Sequence, residues 1–425
     1  MSWPENAAGR VRVRVPATSA NLGPGFDALG LALSWHDEVE AELTDGGLAI
    51  EVTGEGAETA DAGERHLVVR AMRAAFAAAG LASPGLALRC VNTIPQGRGL
   101  GSSAGAVVAG LLAGRALAGR VPVGDLTGAD PYGADLPGAD ASGTGAGASG
   151  AGASGAGVPG SGASGSGVPG ADRRDARALA TAAQLTDVTP LADKGSLADG
   201  ALLALATRLE GHPDNAAACL AGGLTVAWTA AGGPRAVRLE PHPGIVPVVC
   251  VPAVPVATTA ARQALPATVS HQDAAANAGR SALLVAALTQ RPDLLFDATE
   301  DRLHQPYRAP LMPAAADLIG RLRAAGIAAV LSGAGPTVIA LTVRDVIPGP
   351  REVDSIVSQA GNEWHVSPLD VDTQGATIQS VPSGTHGQNS VRHGRQGTYL
   401  QAARAGHAVR SPQDRRPPSA QHGQL

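Results

Sequence analysis

The sequence predicts an α+β fold in which short strands and helices take turns on either side of a long low-complexity stretch. Three observations lead there. Residues 10–118 switch repeatedly between period-two strand patterns and helical patterns, and the same switching resumes at Gly200 and runs to about 370. Between a strand and an Ala/Val/Leu-rich helix sits a loop of glycines and serines, Pro95–Ser103. A third stretch, Ser332–Thr337, places another glycine-rich loop between two apolar strands.

Arg10–Val15 alternates arginine with valine, which marks a strand with one apolar face. A Gly/Pro loop follows, and Asp27–Ser34 reads as a short helix with Asp27 as its cap. His36–Leu43 and Leu48–Val52 read as a strand pair joined at Asp45-Gly46-Gly47. His66–Ala79 is helical, Leu86–Asn92 a strand, and Ala104–Leu117 a helix. Further on, Ala201–Leu209 and Asp214–Leu220 are helices, with Pro213 suited to a first helical turn and Gly222-Gly223 to the stop. Leu224–Trp228, Ala236–Leu239 and Ile245–Val251 are strands, and Thr258–Gln263, Gln272–Leu288 and Ala314–Ala325 are helices. Ile327–Leu331 and Val338–Val343 flank the second glycine loop. A helix at Arg351–Ala360 and a strand at Trp364–Leu369 close the pattern.

Residues 119–171 are near-repeats of Gly, Ala, Ser, Pro and Asp, which offer too little apolar surface to offset chain entropy and are expected to be disordered. Arg173–Leu185 has helical character. Residues 381–425 form a polar, arginine-bearing tail, also expected to be disordered. The expected division is an N-terminal domain at 10–118 and 172–230, the insert at 119–171, a C-terminal domain at 231–370, and the tail.

A net charge of −5 gives no sign of a nucleic-acid or membrane surface, and no apolar run is long enough to span a bilayer. Cys90, Cys219 and Cys250 are isolated, as in a reducing, cytoplasmic compartment. Lys194 is the only lysine, so neither a GxxxxGK[ST] loop nor a strand lysine of the protein-kinase type exists. Phosphate, if bound, must be held by backbone N–H groups, hydroxyls, metal and arginine. Pro95, Gln96, Gly97, Arg98, Gly99, Leu100, Gly101, Ser102, Ser103, Ala104 and Gly105 have that make-up, a flexible glycine turn leading into a helix N-terminus. A plain helix start with serine caps is the competing reading.

Pro16-Ala17-Thr18-Ser19-Ala20-Asn21-Leu22-Gly23-Pro24-Gly25-Phe26-Asp27-Ala28-Leu29-Gly30 closely resembles the first motif of the homoserine kinases. Pro95–Ala104 and Ser332–Thr337 resemble the second and third motifs of the wider GHMP family of small-molecule kinases. His212-Pro213-Asp214-Asn215 strengthens the link to the homoserine branch. The resemblance covers roughly 10–118 and 200–370. It implies a two-domain GHMP kinase fold, with a left-handed βαβ unit in the N-terminal α+β domain and a ferredoxin-like C-terminal domain. It implies ATP and Mg²⁺ as cofactors and L-homoserine as substrate. Pro95–Gly105 would wrap the triphosphate, and Ser103 and Glu210 would face the metal. Asn21, Asp27, His212, Arg262 and Arg308 would hold the amino acid, the two arginines on its carboxylate and Asp27 on its ammonium. Asn215 would lie beside the reacting hydroxyl, in a reaction without an obligatory protein base. A homodimer is compatible with the family. The alternatives are another GHMP small-molecule kinase and a catalytically inactive GHMP-fold binding module.

Overall fold

In the computed structural model, residues 9–61, 63–119, 199–361 and 363–381 are described. The helix expected at Arg173–Leu185, nearly all of the insert and the tail beyond Val381 lie outside them. The chain separates into Met1–Ser383, which holds every described element, and Gly384–Leu425.

The first strand, β1 (Arg10–Ala20), buries Val11, Val13 and Val15 while Arg12 and Arg14 point outward, as the alternation requires. It pairs antiparallel with β2 (Leu29–Thr44), with an irregularity between Pro16 and Ala17. The short helix expected over Asp27–Ser34 is absent: Leu29–Leu33 is the start of β2 and is buried throughout. A short unbroken apolar run is compatible with either structure, and here pairing to β1 on one side and β5 on the other decides for the strand.

The hairpin expected at Asp45–Gly47 is also not formed. After β3 (Leu48–Gly54) and α1 (Leu67–Ala78), strand β4 (Gly85–Asn92) inserts between β2 and β3, antiparallel to the former and parallel to the latter. The turn chemistry of Gly46-Gly47 reports only the local reversal, whereas β4 brings the long-range pairing. Thus β3, α1 and β4 make a βαβ unit. α2 (Ser102–Ala118), α3 (Asp199–Glu210) and α4 (Asp214–Ala221) follow, the last ending at Gly222 with φ 68°. β5 (Leu224–Ala230) and β6 (Gly233–Leu239) extend the same sheet. A division at 230/231 would therefore cut a paired hairpin, and the change of sheet falls between Leu239 and Ile245.

A second sheet begins with β7 (Ile245–Pro252). It is followed by α5 (Thr258–Gln263), α6 (His271–Thr289) and two one-turn helices, α7 (Leu295–Ala298) and α8 (Gln305–Arg308), that sequence periodicity does not reveal. α9 (Pro313–Ala324), β8 (Ala328–Leu331), β9 (Val338–Val343), α10 (Pro350–Ser358) and β10 (Trp364–Pro368) complete it. All neighbours are antiparallel in the order β10-β7-β9-β8. With α9 between β7 and β8 and α10 between β9 and β10, this is the β-α-β-β-α-β pattern of ferredoxin-like folds. The chain then returns as β11 (Thr377–Val381) to pair with β1, so the seven-stranded sheet reads β11-β1-β2-β4-β3 with β5 on β2 and β6 on β5. β11 carries no distinctive pattern and was not expected.

One core lies between the large sheet and α1 to α4. A second is shared by Leu22, Leu31 and Leu33, one face of β7 to β9, and Leu284 and Leu288 of α6. The third packs α9 and α10 on the opposite face of the small sheet. The middle core thus fastens the two sheets together, and the glycine loops lie beside that seam.

Candidate active site

The loop Pro95–Gly101 turns on three glycines of positive φ, Gly97 (65°), Gly99 (80°) and Gly101 (68°). Gly99 packs so closely on Ser332 that a Cβ would overlap its carbonyl oxygen, and a Cβ on Gly101 would overlap Thr18 Oγ1. The first intrahelical bond of α2 is Gly105 N–H to Gly101 O, which leaves the preceding N–H groups of the first turn without helical partners. Gly101, not a serine, is the capping residue, and no side chain caps the helix. The hydroxyls are thereby released, and Ser103 Oγ donates to Glu210 Oε1 at 2.7 Å. Burial pushes the Glu210 carboxyl above its ordinary range, opposed by the Ser103 bond.

All three motif loops meet here. Thr18 N–H donates to Leu100 O, Thr337 N–H to Arg98 O, and Gly333 N–H to Ala20 O. Ser332 Oγ donates to Gly99 O at 2.6 Å, and Asn21 Nδ2 donates to Gly333 O at 2.7 Å. The loops border a cleft of about 360 Å³ whose lining includes Gly99–Ala104, Glu210, His212, Asn215, Arg262 and Arg308. A second cleft of about 300 Å³ lies across Ser102 and Ser103, walled by Val15, Val39, His66, Val68, Asn92 and Gln96.

Asn21 and Asp27 both have positive φ, at 68° and 53°. Asn21 Oδ1 accepts the Asp27 N–H at 2.9 Å, so the amide holds the loop closed. The Asp27 carboxylate takes both prongs of Arg262, Nη1 at 3.0 Å and Nη2 at 2.9 Å. This bond, ahead of the opposing burial, raises the Arg262 pKa. Arg308 is only 2% exposed. Its Nε donates to Ala261 O at 3.1 Å, and its Nη1 donates to Gly333 O at 3.2 Å and His304 Nδ1 at 3.1 Å. Burial, and then the nearby Arg262 charge, lower the Arg308 pKa. His304 Nε2 donates to Gly23 O at 2.8 Å, and its ring stacks on Phe26, over which Arg308 also lies. A neutral His304 with its proton on Nε2 satisfies both bonds, and burial lowers its pKa accordingly.

At the start of α4, Asp214 is buried and organises its neighbours. Its Oδ1 accepts His212 Nδ1–H at 2.9 Å and the Asn215 N–H at 2.8 Å. The bond to Asp214, ahead of the opposing burial, raises the His212 pKa. Thr18 Oγ1 donates to Asn215 Oδ1 at 2.8 Å.

Every residue expected on substrate or metal therefore borders the main cleft: Asn21, Asp27, Ser103, Glu210, His212, Asn215, Arg262 and Arg308. Of the expected ATP loop, Arg98 and Gly105 line neither cleft. Arg98 instead donates to the carbonyls of Gln96, Pro252 and Ala253, bracing the loop against the end of β7. Gly105 faces Val15. Sequence reasoning assigned no role to Thr18, Asp214 or His304, which hold other residues of the site; Thr18 and Asp214 stand inside the motif strings, which do not reveal that work. Among the described residues no cluster of three or more His, Cys, Asp or Glu could hold a metal alone, and no helix is long and apolar enough to cross a membrane.

Family comparisons agree with this arrangement. Residues 66–129 match the GHMP kinases N terminal domain and residues 283–366 match GHMP kinases C terminal. A protein named homoserine kinase from Streptomyces coelicolor is 45% identical over 378 residues, covering 89% of this chain and 97% of its own. One of the same name from Mycobacterium tuberculosis is 40% identical over 361 residues, covering 84% and 90%. The crystal structure of homoserine kinase from Cytophaga hutchinsonii has the same fold, with a TM-score of 0.60 at 22% identity over 89% of this chain and all of that one. With that identity across nearly the whole length, both family domains and three motif loops on one cleft, the chain belongs to the homoserine kinases of the GHMP family.

Proposed function

We propose that the protein transfers the γ-phosphoryl group of ATP to the side-chain hydroxyl of L-homoserine, giving O-phospho-L-homoserine for threonine biosynthesis in the cytoplasm. The observation that carries this reading is the paired Asp27 and Arg262 beside Arg308 in one cleft. An α-amino acid presents both charges that these groups pair with, and guanidinium matches a carboxylate with two donors. A sugar presents neither charge, and mevalonate presents a carboxylate without the ammonium.

Phosphoryl transfer asks a protein chiefly for alignment and charge stabilisation. The free N–H groups of the first turn of α2 and the glycine loop supply donors for phosphate oxygens. The neighbouring cleft, with Val15, Val39 and Val68 among its walls, suits the nucleoside. Ser103 and Glu210 offer a hydroxyl and a carboxylate oxygen already 2.7 Å apart. That donor set fits Mg²⁺, which binds proteins through one or two oxygens and completes its shell with phosphates and water. Bound there, Mg²⁺ neutralises charge on the phosphates. His212 and Asn21 frame the amino acid, and Asn215 stands beside the hydroxyl. The buried, unpaired Cys90, Cys219 and Cys250 suit a reducing compartment.

Phosphorus NMR of ATP, Mg²⁺ and L-homoserine with the protein tests the reading. A new phosphomonoester signal should appear with homoserine and not with galactose, mevalonate or butanediol. Ser103→Ala should lower kcat by roughly tenfold or more while the protein stays folded, since the hydroxyl acts on developing charge. Turnover of an uncharged alcohol in preference to homoserine would overturn the assignment. Unchanged kcat in Ser103→Ala would remove Ser103 from the metal.

A further inference from the structure

Thr18 is fully buried on β1, and its hydroxyl crosses the first turn of α2 to reach the amide of Asn215 at the start of α4. The crossing is possible only because residue 101 is glycine: a Cβ there would overlap Thr18 Oγ1 and come within 3.1 Å of Asn215 Oδ1. Asn215 is thus held at two points, its backbone N–H by Asp214 and its side-chain oxygen by Thr18. Its Nδ2 has no hydrogen-bond partner among the described residues, and the residue borders the main cleft.

We infer that Thr18 is a positioning residue that fixes the Asn215 amide so that Nδ2, and not Oδ1, meets the acceptor hydroxyl; this rests on the homoserine kinase reading. With Oδ1 engaged by the Thr18 hydroxyl, the Nδ2 N–H groups are the polar atoms of this amide left without a partner among the described residues. Asn215 then donates to the hydroxyl oxygen and directs one of its lone pairs towards phosphorus. It does not receive the proton. In the transfer, the hydroxyl oxygen bonds to the γ-phosphorus, and the bond from that phosphorus to the bridging oxygen breaks with its electron pair left on ADP. The hydroxyl proton passes to a γ-phosphoryl oxygen.

The test combines Thr18→Val, Thr18→Ser and Asn215→Asp with steady-state kinetics at saturating ATP and Mg²⁺. Thr18→Val removes the donor at nearly constant shape and should lower kcat for homoserine roughly five- to tenfold, the worth of one oriented hydrogen bond, with KM held within about twofold. Thr18→Ser should restore kcat. In an Asn215→Ala background, Thr18→Val should cause no further loss, because the residue it positions is gone. Asn215→Asp swaps donor for acceptor without altering Thr18, so it remains informative if Thr18→Val does not fold. It should lower kcat at least as much as Asn215→Ala. Retained or increased kcat in Asn215→Asp would overturn the inference, as would equal losses from Thr18→Val with and without Asn215. A wild-type protein that leaves homoserine unphosphorylated would overturn the kinase reading instead.

Discussion

His212 is a titratable group at the main cleft whose direction of shift makes a stability prediction. Its bond to Asp214 outweighs burial and raises the folded-state pKa above the ordinary 6.5. The charged imidazolium therefore stabilises the fold fully below about pH 6.5, and this contribution is lost as pH rises through the folded pKa. The difference in melting temperature between wild type and His212→Gln should be largest in acid and shrink towards alkaline pH. A difference that grew with pH would contradict the assignment. At this scale the residues legible in the sequence are those that stand in a motif expected to face the ligand. Ser103, Asp27 and the two arginines stand in recognisable strings, and all border one cleft. Thr18, Asp214 and His304 were just as visible as letters. Their work is to hold other side chains across 197 positions in the case of Thr18 and Asn215, a relation that only the folded chain displays.

Helix α2 shows how an element can contradict its own propensities. Gly110 and Gly114 stand in its interior, where alanine is favoured by about 1 kcal/mol. A Cβ on Gly110 would overlap Val68 O and lie 2.7 Å from Ala71 Cβ, and one on Gly114 would lie 2.8 Å from Ala75 Cβ. The glycines let α1 and α2 approach closely, so overpacking exceeds the propensity gain. Gly110→Ala should lose roughly 1–3 kcal/mol in urea unfolding. Gly279→Ala in α6, where a Cβ would meet nothing within 4 Å, should instead gain up to about 1 kcal/mol. If both changes stabilised equally, close helix packing would not be the reason for Gly110. The long helices α1, α2 and α6 are legible from their length and helix-forming composition, although α2 is apolar nearly all round and not periodic. The Leu29–Leu33 segment reads as a helix because burial on both sides erases alternation, and a turn that joins β2 directly to β3 gives no hint that β4 enters between them. α7 and α8 are too short to show a period.

Across the whole molecule, function depends on chain segments far apart in sequence closing on one seam. Motif one leaves β1, motif two opens α2, and motif three links β8 to β9 of the other sheet. The three are tied by Asn21, Gly99 and Ser332 around the shared core. The late strand β11 returns to β1, so the large sheet is completed only after the small one has formed its strands in the chain. The two-sheet plan was legible from the resemblance, while this return was not, because a five-residue edge strand carries little signal. On the proposed reading, this seam recognises an amino acid through both of its charges, with Asp27 on the ammonium and Arg262 and Arg308 on the carboxylate. The most direct measurement compares kcat/KM for L-homoserine with two analogues, 3-aminopropan-1-ol, which lacks the carboxylate, and 4-hydroxybutanoate, which lacks the ammonium. Each leaves a charge unpaired, at a cost of roughly 2–5 kcal/mol, so each should fall by about thirtyfold or more. If either analogue were phosphorylated within about threefold of homoserine, recognition through both charges would be contradicted.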